Sequence, residues 1–354
     1  VKRKYAAFMR ATDLSKRFHL KIPLVVAPMS GGPSTPELVS ESCNSGALGS
    51  LGLAYLSPKQ ISLAIDQTRE KTSKPFLVNL FTPMPEISPS REQIAEAIGS
   101  TLSYRKELKL PEPVVCAPFH PDFDQQFEAV MRAKPAAFGF IFGILDSAYL
   151  QECRKQQIVT FGTATTLEEG IALEESGVDV VIAQGTEAGG HRGIFNPSAS
   201  EPGIRILDLT RSLVKKIKIP IVSAGGIMDA KGILSVLSAG AQAAQMGTAF
   251  LLCREAGTPK PYRKALQEYQ ATELTRVFSG RIARGLPNRF MKEMKGKSFL
   301  PFPAQNSFTR DIRNKSVEIG SADFLSLWAG EGVKSIRADL SAHQLIEQLT
   351  RELA

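Results

Sequence analysis

Ala183-Gln184-Gly185-Thr186-Glu187-Ala188-Gly189-Gly190-His191-Arg192-Gly193 follows without a break on the apolar run that begins at Val178. An extended hydrophobic segment therefore runs straight into a turn holding Gly185, Gly189, Gly190 and Gly193, with one histidine at its tip. Glycine has no Cβ, so backbone N–H groups in such a turn approach a ligand closely. The imidazole has an unperturbed pKa near neutrality. The stretch reads as a cofactor-contacting loop at the end of a strand, carrying one candidate acid or base.

Working outward, runs of the same kind recur. Strands are expected at Leu24–Met29, Ala47–Gly52, Phe76–Phe81, Ala136–Phe142, Ile158–Thr163, Val178–Gln184, Pro220–Gly225 and Ala243–Leu251. Most are apolar throughout, the pattern of strands buried on both faces in a parallel sheet flanked by helices. A ninth run, Val114–Cys116, lies among Pro111, Pro113, Pro118 and Pro121 and is assigned to loop, because proline removes ladder donors.

Helices are expected between the strands. Thr35 precedes Pro36 at a first helical position, and Gly46 closes Leu38–Ser45. Thr166-Leu167-Glu168-Glu169 has the capping-box pattern. Asp229 caps Ala230–Ser238, which Gly240 ends. Eight strands alternating with helices predict an α/β chain folded as a (β/α)8 barrel, with a doubly wound open sheet as the alternative by pattern alone.

Two segments break the repeat. An insertion, 83–130, carries a predicted helix at Arg91–Leu108. The tail is basic and mostly helical in composition. The expected organisation is a barrel over 1–255 and a mainly helical region over 256–354, packing with the insertion across the barrel mouth.

Bulk properties narrow the function. The 354 residues are 43% hydrophobic and 22% charged, as in ordinary globular enzymes. The basic start, Val1-Lys2-Arg3-Lys4, is followed by no apolar stretch of secretory type. No run approaches the ~20 apolar residues of a membrane span. The expected setting is the cytoplasm, with no membrane partner. Cys43, Cys116, Cys153 and Cys253 are widely separated, which predicts buried reduced thiols rather than a disulfide framework or a metal cluster.

The net charge of +8 is concentrated between Arg254 and Lys315, with 14 Lys/Arg against 5 Asp/Glu. Few aromatics interleave with these cations and no nucleic-acid motif is present. A solvated face or attraction of a small anion is the expected reading, and nucleic acid is not an expected partner.

In a barrel the chemistry lies at the C-terminal strand ends. Met29, Asn79, Gln184, His191, Gly225, Gly226, Gln245, Met246, Gly247 and Thr248 all fall there. Loops after the seventh and eighth strands of barrels often bind phosphate through backbone N–H groups. Gly225, Gly226 and Gly247 leave room for it, and Thr248 adds a hydroxyl. The carboxamides of Asn79 and Gln184 suit a planar heterocycle, or alternatively neighbouring backbone. Among the four histidines only His191 sits in a glycine-dense strand-end loop. His19 and His343 are peripheral, and His120 lies on the insertion. Serine elbows, clustered metal ligands and Gly-x-Gly-x-x-Gly are all absent from the sequence.

Together these segments resemble the nitronate monooxygenase family, formerly the 2-nitropropane dioxygenases. The resemblance lies in Ala183–Gly193, Ala224–Ile227, Gln245–Phe250, Ala27–Met29, Gly46–Gly52, Val78–Phe81, Ser279–Gly285 and Leu327–Gly330. It implies a TIM barrel with non-covalent FMN, contacted by Asn79, Gln184, Gly189, Gly226 and Gln245 through Thr248. It implies His191 as the catalytic residue and oxidation of alkyl nitronates, such as propionate 3-nitronate, by molecular oxygen without a metal. The alternative is an NAD(P)H-dependent flavin reductase acting on quinones or enoyl thioesters. A monomer or homodimer is expected. One departure is visible. Many relatives carry a second active-site histidine in Ser-Phe-His-Phe-Gly. Here the strand reads Gly139-Phe140-Ile141-Phe142-Gly143, so an apolar side chain takes that place.

Overall fold

The computed structural model describes residues 12–354, so the basic start Val1–Lys4 lies outside the described residues. Eight strands form one parallel sheet: β1 (Leu24–Val26), β2 (Ser50–Gly52), β3 (Leu77–Phe81), β4 (Ala137–Ile141), β5 (Val159–Ala164), β6 (Val180–Gln184), β8 (Ile221–Ala224) and β9 (Ala243–Met246). Around the ring the order is β1-β9-β8-β6-β5-β4-β3-β2. The seam between the ends is closed by a bridge from Val25 to Leu48, through Leu48 N–H to Leu24 O at 2.9 Å and Val26 N–H to Leu48 O at 2.8 Å. This is the predicted (β/α)8 barrel.

Successive residues of a strand face opposite sides, and here both sides are apolar. In β6, Val180 and Ile182 join the barrel interior with Val25, Leu77, Phe161 and Val222. Val181 and Ala183 pack outward under the helices with Leu173 and Leu213. That is why the strands show no polar alternation. The short helix α1 (Asp13–Arg17) contributes Leu14 to the interior cluster, which also takes in the following Phe18.

The capping signals act as expected, with one exception. Thr35 accepts from Leu38 N–H ahead of α2 (Pro36–Asn44), and Asp229 accepts from Gly232 N–H ahead of α9 (Ala230–Ser238). The other barrel-wall helices are α3 (Pro58–Lys71), α5 (Phe123–Ala133), α6 (Ser147–Lys155), α7 (Leu167–Ser176) and α8 (Ile206–Lys216), and α4 (Arg91–Glu107) lies in the insertion. At α7, Thr166 accepts from Glu169 N–H, but the Glu169 carboxylate does not complete a capping box. It accepts instead from Thr165 N–H at 2.6 Å and from Phe195 N–H at 2.8 Å, tying down the chain just after His191.

Four expectations are corrected. The eighth barrel strand stops at Met246 rather than Leu251, and Thr248–Phe250 forms a 3-10 turn. Ala249, Phe250, Leu251 and Leu252 are apolar because the turn is buried, and an apolar run alone does not separate the two cases. Gly190–His191 is itself a short strand, β7, and the tail supplies its partner. There β10 (Glu273–Thr275) pairs antiparallel with β11 (Ala283–Gly285), and β11 pairs with β7. Cys116 is exposed, while Cys43, Cys153 and Cys253 are buried as expected.

The fourth correction concerns the tail. Its helices are α10 (Lys260–Glu268), α11 (Arg289–Glu293), α12 (Ala304–Phe308), α13 (Arg310–Glu318) and α14 (Ala342–Leu353). The last does not cross the mouth. Leu345, Ile346 and Leu349 of α14 pack with Leu38 of α2 and Ile233 of α9, completing the barrel wall.

Tail residues between Val277 and Phe324 meet the insertion. Tyr104 packs against Phe290 and Phe324, with ring centroids 5.3 and 5.6 Å apart. Arg105 reaches both carboxylate oxygens of Asp311, at 2.6 and 3.2 Å, and the Phe308 carbonyl at 2.9 Å.

Arg105 is 2% exposed. Removing its counter-charge leaves a buried guanidinium with neutral acceptors alone, whereas Asp311 itself is partly in water. Asp311→Asn should therefore lower the unfolding free energy by about 1–2 kcal/mol, read from denaturant titration. An unchanged midpoint would show that this strap contributes nothing to stability.

Candidate active site

A cavity of about 430 Å³ opens at the C-terminal ends of the strands. Met29 after β1, Asn79 on β3, Gln184 on β6 and Gln245 on β9 line it, with Gly225 and Gly226 after β8 and Gly247 and Thr248 after β9. Gly189 and His191 enter from the glycine loop. Ten of the eleven expected site residues thus converge. Met246 does not: its side chain is 1% exposed and belongs to the apolar cluster under α9 and α14. Strand alternation puts it on the helix side while Gln245 faces inward. His120 does not line the cavity, and its Nδ1 lies 2.8 Å from the Pro121 carbonyl.

The glycine loop is fixed by Arg192, which is 1% exposed. Its Nη1 donates to Gln184 Oε1 and to Gly185 O, both at 2.7 Å, and its Nη2 to Gln184 O at 2.9 Å. Its Nε pairs with Glu201 at 2.8 Å. Gln184 is therefore largely committed to the loop. Oε1 accepts from Arg192 and from Gly193 N–H, and Nε2 donates to His191 O at 3.0 Å. One amide N–H remains for a ligand. Asn79 keeps more freedom: among the described residues no hydrogen bond engages its carboxamide.

Gly189 could not carry a side chain, because a Cβ there would lie 2.5 Å from Ala329 C and Gly330 N. This close approach brings the tail's Leu327–Gly330 strip against the loop. Gly226 adopts φ +67°, a left-handed conformation that side chains avoid. The Thr248 hydroxyl accepts from Gly330 N–H at 3.0 Å and keeps its own hydrogen to donate. Among the described residues, no acceptor takes the N–H groups of Gly226, Gly247 and Thr248. Gln245 Oε1 is buried with no partner. A mouth with this many unanswered polar groups is built for a polar ligand.

His191 sits in an aromatic box of Phe81, Phe142, Phe302 and Trp328, with ring centroids 5.5 to 6.4 Å away. Its Nε2 lies 2.8 Å from Ser279 Oγ. Burial, reinforced by the Arg281 and Arg313 charges, pushes its pKa down to about 3. The imidazole is neutral at physiological pH. Arg281 stacks on Phe142, with its guanidinium carbon 3.9 Å from the ring centre, and donates to the Ile194 carbonyl. Ile141 also lines the cavity, as an apolar wall.

Several lining residues come from outside the strand-end pattern: Tyr55, Trp328, Asn306, Arg310, Arg313 and Asn314. Ser279 reaches the site only through His191. The Ser279–Gly285 and Leu327–Gly330 stretches were visible as motifs, but nothing local in them signals that they fold back over the barrel.

The profile of the nitronate monooxygenase family matches residues 12–352. The chain belongs to the nitronate monooxygenase family. A "Probable nitronate monooxygenase" of Bacillus subtilis is 35% identical over 353 residues, covering 96% of this chain and 98% of that one. One from Staphylococcus haemolyticus is 36% identical, covering 96% of each. Among solved structures, nitroalkane oxidase from Streptomyces ansochromogenes superposes with a TM-score of 0.90 at 36% identity, covering 96% of this chain and 97% of that one. FabK from Thermotoga maritima, at TM-score 0.74 and 22% identity over 97% and 96% of the two chains, shares the fold. The protein is an oxidoreductase enzyme of the nitronate monooxygenase family. No helix among its described residues is long and apolar enough to cross a membrane.

The neutral histidine of this family member has a measurable consequence. In the unfolded chain the imidazole titrates near 6.5, and in the folded protein near 3. Between those values the unfolded state binds the extra proton, so stability is lost as pH falls through this window. His191→Asn removes the group. The wild type should lose stability more steeply than this variant from pH 6.5 downward, as measured by denaturant midpoints. Parallel curves would show that His191 is protonated in the native state.

Proposed function

We propose that this family member is an FMN-dependent oxidoreductase that oxidises alkyl nitronates with molecular oxygen. The observation that carries the reading is the set of unsatisfied polar groups converging on one mouth: Gln245 Oε1 and the N–H groups of Gly226, Gly247 and Thr248. They match a ligand with a planar polar ring and a terminal phosphate. Gly226, Gly247 and Thr248 would hold the phosphate, and Gly225 leaves room beside it. Asn79, Gln245 and the spare N–H of Gln184 would meet the ring edge, with Met29 and Gly189 against its faces. Bound there, FMN would supply the redox chemistry, accepting electrons from the nitronate and returning them to dioxygen.

The chain's own part is binding, orientation and proton control. The barrel region through residue 255 would hold the ring, beside the tail strip Leu327–Gly330 that packs on the glycine loop. His191 is neutral, so each ring nitrogen has one role. With Nε2–H donating to Ser279 Oγ, Nδ1 carries a lone pair that can take an α-proton from a neutral nitroalkane. With the serine donating, Nδ1–H can donate to nitronate oxygens. The aromatic box excludes water around it, and Ile141 presents carbon where another histidine would present a donor.

The purified protein should be yellow, with a flavin spectrum, and should consume oxygen with nitronates. His191→Asn should keep its flavin and lose turnover by about 10²–10⁴-fold. Unchanged turnover would remove His191 from the mechanism. A protein that stays colourless after incubation with FMN would overturn the cofactor, and rapid anaerobic bleaching by NADH would favour a nicotinamide-dependent reductase.

A further inference from the structure

Ser279 is 1% exposed and stands behind His191, its Oγ 2.8 Å from Nε2. The turn that carries it is fastened on several sides. Ser279 N–H and Gly280 N–H donate to Arg276 O at 3.2 and 2.7 Å. The Arg276 guanidinium donates to the carbonyls of Pro197 and Ala199, both at 2.8 Å. Thr309 Oγ1 donates to the Phe278 carbonyl and Gln305 Nε2 to the Val277 carbonyl, both at 2.6 Å. Arg192 N–H donates to Ile282 O at 2.8 Å, and the β7–β11 register sets His191 opposite Ala283. The loop after β7, the helix α12 and the strand β11 thus hold one hydroxyl against one ring nitrogen.

The direction of that bond follows from its neighbours. The hydroxyl hydrogen has two acceptors nearby, His191 Nε2 at 2.8 Å and Arg281 O at 3.3 Å. A hydroxyl donates to an acceptor at about 2.5–3.0 Å, so the imidazole nitrogen lies in range and the carbonyl outside it. Arg281 N–H, 3.3 Å from Oγ, can only donate. With the hydrogen on Nε2, the serine's own hydrogen would be left out of water with the long contact alone, and a buried donor without a good acceptor is costly. The donors therefore run in line from Arg281 N–H to Ser279 O–H to His191 Nε2. A neutral imidazole has one hydrogen, which then sits on Nδ1. Among the described residues Nδ1 has no hydrogen-bond partner, and the ring lines the cavity. A serine serving only its own turn would make its shortest bond there. Ser279 makes it to a ring 88 residues away.

We propose that Ser279 is a positioning residue: it donates to His191 Nε2, holds the imidazole with its hydrogen on Nδ1, and so makes His191 a hydrogen-bond donor to the substrate rather than a proton acceptor. The inference rests on the nitronate-oxidising reading above and selects one of the two tautomers open to it. A nitronate carries its negative charge largely on two oxygens, which an N–H meets favourably and a lone pair does not. Donors in line polarise one another, so the serine strengthens the bond that Nδ1–H makes. A donor aimed before the substrate arrives also needs no reorganisation during the reaction. The electrostatics of the box agree, since burial and the charges of Arg281 and Arg313 oppose an imidazolium and hence proton uptake.

The test reads the tautomer directly. The flavin-loaded protein is labelled with the heavy nitrogen isotope in histidine alone, and His191→Asn identifies the His191 signals among the four histidines. In the nitrogen NMR spectrum at neutral pH, Nδ1 of the wild type should have the shift of a protonated nitrogen and Nε2 that of a lone-pair nitrogen. In Ser279→Ala the two shifts should move toward each other, because nothing then assigns the hydrogen to one nitrogen. Oxygen uptake with ethyl nitronate should fall on the order of tenfold in that variant, with flavin content unchanged. Freshly dissolved neutral nitroethane should react far more slowly than its nitronate in the wild type.

A hydrogen on Nε2 in the wild type would overturn the proposal, and beside brisk nitronate turnover it would leave the nitronate reading intact. Neutral nitroethane outpacing its nitronate would overturn it too, by making His191 a base. Ser279→Ala with the wild-type shifts and turnover would reduce the serine to a part of its own turn. If Ser279→Ala does not fold, the wild-type spectrum decides alone. A wild type that oxidises no nitronate, yet carries the hydrogen on Nδ1 and loses that placement in Ser279→Ala, would sink the nitronate reading and leave the serine's role standing.

Discussion

The Arg192 guanidinium, out of water at the end of β6, answers four demands at once: the side chain and carbonyl of Gln184, the carbonyl of Gly185 and the carboxylate of Glu201. A buried cation is tolerated only when its donors are satisfied. Here the satisfying groups are the strand end and the first turn of the glycine loop. The loop's path is therefore set by charge solvation rather than by apolar packing. Every later feature inherits that path: Gly189 meets Gly330 edge to edge, His191 pairs in β7 with β11, and the histidine ring enters the aromatic box.

The barrel and the tail have different jobs at the site. The strands present amides and carboxamides from fixed positions on a closed ring. The tail supplies Ser279, Trp328, Gly330 and the α13 arginines, and it reaches the barrel through two kinds of junction. One is the three-stranded sheet at β7. The other is the strap from Arg105 to Asp311, backed by Tyr104 on Phe290 and Phe324. Neutrality at His191 follows from this enclosure: burial removes water, and nearby cations make a second positive charge costly.

Much of this was legible in the chain. Doubly buried strands leave continuous apolar runs, so all eight could be read, and their order put the polar strand-end residues on one rim. The misreadings have physical causes. The Ala249–Leu252 run is apolar because a turn is buried, which imitates a strand. Met246 differs from Gln245 in facing the other way, toward the helices, and reading the strand on to Leu251 instead of ending it at Met246 hides that. Gln184 was read as an amide for a planar ligand or for neighbouring backbone, and three of its four hydrogen-bonding places go to Arg192, Gly193 N–H and His191 O, leaving one N–H. The arginines of α13 were counted within a basic region. No local pattern in the tail shows that they line the cavity.

The late return of α14 to the barrel wall ties synthesis to closure. The groove between α2 and α9 is apolar, and Ala342, Leu345, Ile346, Leu349 and Leu353 of α14 pack into it. On the ribosome the cylinder must wait, with that groove uncovered, until α14 has followed the eight strands out. The span between β9 and α14 is thereby pinned at both ends, so the cover over the mouth is a bridge rather than a hinged flap. Traffic in and out has to pass beneath or beside it.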